Sequence, residues 1–305
     1  TKRILLTTTS LVLAAGVAQA DVSFSGSTGV ALIDDNGASA AANGAARSTR
    51  DDMFFESYYD FNITASAESD NGVSVSVGFD MGAGNMIDYN DDDVLEAQGN
   101  DVGDADVTIG YAGWTLAVDN NGIDNLFDDA DGSQDFSLSG SVAGISVAMT
   151  SDQDGSTSSY KVSGAVAGVS LTATGTDVAA VGGDASKLAA SYAMGNGLTL
   201  SASMQNEDGT AEDDNTIGLS YAMDSLTVGY TTIKPGSDGG FGDEWDFSVG
   251  YSAGAVAASF ALDETDATTI ILDYGLGGGA SAFAAMHDKA GTDNDLTAIG
   301  LNFAF

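Results

Sequence analysis

From residue 21 onward, apolar residues alternate with small or polar ones, and this period of two constrains the fold more than any other feature. In "GLSYAMDSLTVGY" (218–230), Leu219, Tyr221 and Met223 share one face, and Gly218, Ser220 and Ala222 share the other. After Asp224-Ser225 the alternation resumes with Leu226, Val228 and Tyr230, which reads as two strands and a tight turn. The same pattern runs through Val73–Met81, Glu244–Tyr251, Thr269–Tyr274 and Phe55–Ile63. Helix-period stretches are scarce, so the chain is expected to be all-β.

The connections between these segments are of two kinds. Short ones carry Gly, Asn or Asp: Asp70-Asn71-Gly72, Ala112-Gly113, Ala143-Gly144, Ala167-Gly168, Gly195-Asn196-Gly197, Asp224-Ser225, Ala253-Gly254 and Gly277-Gly278-Gly279. Longer ones are polar and mostly acidic, as in Asn36–Arg50, Asn85–Asp104, Asp119–Ser133 and Glu207–Asp214. The two kinds alternate strictly, as in an up-and-down antiparallel sheet with tight turns at one end and loops at the other. Eight short turns imply 18 strands. An internal repeat supports the hairpin as the unit: "SGSVAGIS" (139–146) and "SGAVAGVS" (163–170) lie 24 residues apart. "GYAG", "SYAM", "SYAM", "GYSA" and "DYGL" each place Tyr just before a short turn.

The apolar face must be covered. A soluble sheet would carry many Lys and Glu on its second face, but here that face is Gly, Ser, Thr, Asn and Asp. Small polar residues suit a confined watery interior, and the apolar face then meets lipid. Closing the sheet into a barrel satisfies every backbone group where water is absent. Tyr at a constant distance from the short turns forms an aromatic girdle, ring in hydrocarbon and hydroxyl among headgroups. No stretch after residue 20 holds 18 consecutive apolar residues, so a helical span is not expected. Residues 1–20 have a different character: Lys2 and Arg3, an apolar run, then Ala18-Gln19-Ala20 before Asp21. They read as a secretory signal, leaving 21–305 as one barrel domain. Lys plus Arg number 8 against 45 Asp plus Glu, a net charge of −37, which argues against nucleic acid as a partner. The alternative is a secreted β-sandwich or β-solenoid, an acidic adhesin or calcium-binding surface protein.

The segments "DVSFSGSTGVALID" (21–34), "FNITASAESDNGVSVSVGFDM" (61–81) and "DYGLGGGASAFAAMHDKAGTDNDLTAIGLNFAF" (273–305) resemble the outer-membrane general porins of alphaproteobacteria, of the Rhodobacter type. The resemblance implies a homotrimer of water-filled barrels in the Gram-negative outer membrane, in contact with lipid and lipopolysaccharide. Each barrel would pass small hydrophilic solutes and ions by passive diffusion, without enzymatic chemistry or a cofactor. It implies a third loop folded inward, its acids facing bases on the wall, and a terminal Phe305 acting as an assembly signal. It also implies 16 strands with seven tight turns, so the expected count is 16–18. Asn85–Asp104 would be the loop that latches a neighbouring subunit.

Transport needs only a radius and a field. Alternation places Glu56, Asp60, Asp80, Asp106, Asp246 and Asp273 on the inward face. The third loop by count, Asp119–Ser133, adds Asp119, Asp124, Asp128, Asp129 and Asp131, although it is short for a loop crossing the interior. The bases with a claim to the wall or rim are Arg47, Arg50, Lys161 and Lys187. "RSTR" (47–50) resembles the family's arginine cluster but lies earlier relative to "DFNIT". Negative charge dominates, so preference for cations is expected. "DDADGSQD" and "DQDGS" resemble fragments of calcium loops, with Asp129, Asp131, Asp152 and Asp154 as candidate ligands of loosely held calcium. Both lack the full spacing to a closing Glu, and solvated loop charge is the simpler reading. His287, the single histidine, has no nucleophile signal beside it and reads as an ordinary strand-end residue.

Overall fold

The structure is a computed structural model that describes residues 20–34, 53–87, 95–97, 105–127, 134–179, 183–208, 214–234, 242, 244–288 and 295–305. These residues contain no helix and nineteen strands. In chain order they are β1 (Ala20–Asp34), β2 (Phe54–Glu68), β3 (Ser74–Ile87), β4 (Leu95–Ala97), β5 (Asp106–Tyr111), β6 (Trp114–Ile123) and β7 (Gln134–Val142). Next come β8 (Ile145–Ser151), β9 (Thr157–Val166), β10 (Val169–Val178), β11 (Ala185–Ala193), β12 (Leu198–Glu207) and β13 (Asp214–Met223). The last are β14 (Leu226–Lys234), β15 (Glu244–Ala253), β16 (Val256–Asp263), β17 (Thr268–Gly277), β18 (Ala280–Asp288) and β19 (Leu296–Ala304).

All pairings are antiparallel. β3 pairs directly with β5, and the three-residue β4 pairs only with the end of β3. Each remaining strand pairs with its sequence neighbours, and β1 pairs with both β2 and β19, which closes an 18-stranded barrel. The eight short turns are therefore all real, and the 16 strands implied by family resemblance are two too few. The turns Ala112-Gly113, Ala143-Gly144 and Ala167-Gly168 hold both central residues at positive φ (51°/83°, 53°/83°, 52°/84°). Such turns match the right-handed twist of the flanking strands, and they place alanine where a Cβ is strained.

The two faces separate as alternation demands. Leu219, Tyr221 and Met223 are 43%, 41% and 50% exposed on the outside, whereas Gly218 is buried. Tyr111, Tyr192, Tyr221, Tyr251 and Tyr274 form an exposed ring close to the short turns. Further from those turns, the Tyr160 ring lies over its cross-strand partner Gly175, where any Cβ would collide with it. At the seam, Gly26 and Phe305 exchange both backbone bonds (3.1 and 3.0 Å), and the rings of Phe24, Phe61 and Phe305 pack in sequence, 6.0 and 6.5 Å apart.

One expectation fails on the inside, which is not uniformly small and polar. Ile33, Phe54, Phe283, Leu296 and Ala298 form a buried apolar cluster on the inner face of β1, β2, β18 and β19. Ile271 and Ala285 are buried on the same face of β17 and β18.

Candidate functional site

The interior is shaped by the segment after β6. The ladder between β6 and β7 runs to Val118↔Phe136, lapses, and touches again only at Ile123↔Gln134. Within that gap Asn121 takes φ 57°, and its amide donates to Asp135 Oδ1 at 3.0 Å. The other oxygen of Asp135 accepts from the Gln153 amide at 2.7 Å. The Asp135 carboxylate, 6% exposed, thereby ties β6, β7 and the β8–β9 connection together. Two backbone donors compensate a charge that would otherwise be costly to bury.

Beyond Ile123 the chain crosses the inner face of β8–β10. Asn125 is 5% exposed and donates from Nδ2 to Thr176 Oγ1 at 3.2 Å, while its Oδ1 accepts from the Phe127 amide at 2.8 Å. The Leu126 amide donates to Ser159 Oγ at 2.9 Å, and that hydroxyl also bonds Thr150 Oγ1 at 2.5 Å. Thr176 Oγ1 in turn donates to the Ser158 carbonyl at 3.2 Å. The segment is thus held against the wall by neutral hydrogen bonds, each worth about 1 kcal/mol net. The expected loop boundary moves: Asp119–Ile123 belong to β6, and the departing loop begins at Asp124. Asp128, Asp129 and Asp131 lie outside the described residues, as do Arg47 and Arg50.

Asp60, Asp80, Asp106 and Asp119 occupy the inner face of the consecutive strands β2, β3, β5 and β6. Asp60 Oδ2 accepts from Asn62 Nδ2 at 2.8 Å. Asp106 and Asp119 lie within hydrogen-bonding reach of each other, and Asp80 is near enough to act on Asp106. Glu56 is on the same face of β2. Asp246 and Asp273 lie far around the ring on β15 and β17; Asp246 has Asp263 as its cross-strand partner and Glu264 close by. Lys161 and Lys187 face inward from β9 and β11. The sequence thus placed the acids on a face and left the lysines between wall and rim, and it did not find the anchors Asn125, Thr150, Ser159, Thr176 and Asp135.

In the β8–β9 connection, Asp152 Oδ2 accepts from Ser156 Oγ at 2.5 Å, and Asp154 Oδ1 accepts from the Ser156 amide at 2.8 Å. That amide, then the Ser156 side chain, holds the Asp154 carboxyl below its usual range. Among the described residues, no group of three or more His, Cys, Asp or Glu is arranged to hold a metal ion. His287 is 8% exposed on the inner wall, with Nδ1 2.8 Å from Thr269 Oγ1.

The profile of a family described as Gram-negative porin matches residues 7–305. Among solved structures, the chain is similar to a triple mutant of Rhodopseudomonas blastica porin, with 18% identity over 94% of this chain and 100% of that one, TM-score 0.54. A second mutant of that porin shows 20% identity over 93% and 100%, TM-score 0.53. At such identities the likeness speaks for the fold. No curated protein sequence matches the chain.

Proposed function

Since the chain belongs to the Gram-negative porin family, a family of outer-membrane channels and not of enzymes, we propose that it passes small hydrophilic solutes and ions by passive diffusion and prefers cations. One observation carries this reading: a closed barrel, apolar outside, has a segment of its own chain hydrogen-bonded across its inner wall. That segment narrows the passage, and the acids on β2–β6 set its sign. The described inner wall offers four consecutive strands bearing carboxylates against two inward lysines. The working form is a homotrimer of the alphaproteobacterial general type, embedded in outer-membrane lipid and lipopolysaccharide, with residues 1–20 removed on export. Loop acids stay hydrated and hold no calcium that conduction requires.

Refolded protein in a planar bilayer tests this. A potassium chloride gradient should give a reversal potential on the cation side, moving toward zero when Asp119 and Asp124 are both replaced by Asn. An unchanged permeability ratio would remove these residues from the selectivity account. Mobility on a gel that does not change with heating, and solubility without detergent, would instead support the secreted alternative.

A further inference from the structure

We propose that Lys161 and Lys187 form a phosphate-binding station on the inner wall, suited to small phosphorylated polyols. The inference rests on the reading of the barrel as a channel. Tyr160, Val162 and Leu188 are 47%, 38% and 57% exposed on the outer face, so alternation turns Lys161 and Lys187 to the interior. The register runs Lys161↔Thr174↔Lys187↔Gln205 across β9–β12. The two lysines are therefore level, one strand on either side of Thr174, with their backbones about 10 Å apart. Lysine stems are long and flexible, so both ammonium groups can converge on one phosphate dianion.

The position along the wall matters as much as the spacing. Thr174 is 8% exposed, and two residues further along the strands the pair Ser159↔Thr176 carries the anchors of the inward loop. The lysines thus stand at the foot of the segment that narrows the passage. Beside Lys187 the wall opens into a recess of about 180 Å³, bordered by Ser191, Ser201, Ser203 and Thr216 and by Ala189, Ala190 and Ala202, so that its lining is more apolar than polar. That leaves room for a small polyol, its carbons against the alanines and its hydroxyls turned to the serine and threonine hydroxyls. Neither lysine pairs with an acid among the described residues. Asp214, next to Gln205 in the same row, has a partner of its own. The acid nearest by position is Asp124, beside the anchor Asn125 in the inward segment, and it has a partner of its own; the carboxylates of β2–β6 begin three strands from Lys161, about 15 Å along the wall. That distance exceeds the Debye length of about 8 Å at physiological salt, so the β2–β6 carboxylates do not neutralise the lysines. An anion entering an acidic protein would find its foothold here, where charge-assisted hydrogen bonds are available.

The test uses the refolded full barrel and inorganic phosphate at pH 8. In bilayers, phosphate should slow the potassium chloride current, and the half-effect concentration should rise about tenfold in K161Q/K187Q. Phosphorus NMR of the detergent-refolded barrel should show phosphate line broadening that the double variant loses and K161R/K187R keeps. Glycerol phosphate should bind about threefold more tightly than phosphate, an advantage removed by S191A/S203A. Normal conductance with phosphate binding that is absent, or indifferent to both lysines, would overturn the station. A wild-type barrel with no conductance would instead overturn the channel reading, while the NMR titration still decides whether the lysines bind phosphate.

Discussion

The inner face of β8–β10 and the inner face of β17–β19 with β1 and β2 line one interior but bury different chemistry. On the first, Asn125 and Leu126 reach Thr176 and Ser159 through neutral hydrogen bonds. On the second, Ile33, Phe54, Phe283, Leu296 and Ala298 exclude water mainly through apolar contact, with His287, the cross-strand partner of Leu296, bonded to Thr269 at its margin. A hydrogen bond to the wall replaces one to water and nets about 1 kcal/mol. A fully buried Leu or Phe contributes about 1.5–3 kcal/mol. The apolar side should therefore set the stability of the barrel, and the polar side should set the position of the loop at little cost in global stability.

Breaking the apolar side should give the largest effect. Leu296→Ala or Phe283→Ala should destabilise by about 2–5 kcal/mol, read as a lower temperature for the heat-dependent mobility shift. A loss under about 0.5 kcal/mol would show that this wall bears no such weight. On the polar side, Thr176→Val with Ser159→Ala should cost about 1–3 kcal/mol locally. Its signature is added current noise in single channels with the melting temperature almost unchanged; a quiet channel would mean that the loop is held elsewhere. Smaller still, Ala143→Gly and Ala167→Gly relieve positive φ in two short turns and should each stabilise by up to about 1 kcal/mol in urea unfolding. Because these turns lie at the barrel end away from the loop, they should leave both walls and the conductance as they were. The smallest effect belongs to metal removal: a chelator should not shift conductance, and a reproducible shift would revive a role for the loop acids as calcium ligands.

Much of this architecture was legible in the sequence. Turn chemistry gave the strand number, because short connections bearing Gly, Asn or Asp accept the positive φ that tight turns between twisted strands require. Strict alternation gave the faces, and the tyrosines before the turns gave one end of the apolar belt. Asp119 was misplaced because Asp119-Asn120-Asn121-Gly122 has loop composition, yet it continues β6 after the ladder to β7 has lapsed. The anchors were hidden because a hydroxyl on an inner wall looks the same whether it meets water or an amide. The apolar cluster did leave a trace. Leu32-Ile33, Phe54-Phe55 and Ile270-Ile271-Leu272 are places where both faces are apolar at once, so alternation lapses where the inner wall is dry. The 16 strands implied by the family resemblance fell two short, whereas the count of short turns agreed with the 18-stranded barrel.

The pairing of β1 with β19 has a kinetic consequence. Every other rung among the described barrel strands joins neighbours in the chain, and so zips from a nearby turn. The Gly26–Phe305 rung joins positions about 280 residues apart, and bringing them together costs on the order of 5 kcal/mol of chain entropy. Ring closure is thus the step most dependent on outside help, and the half-assembled species to guard against is a long curved sheet with two open edges.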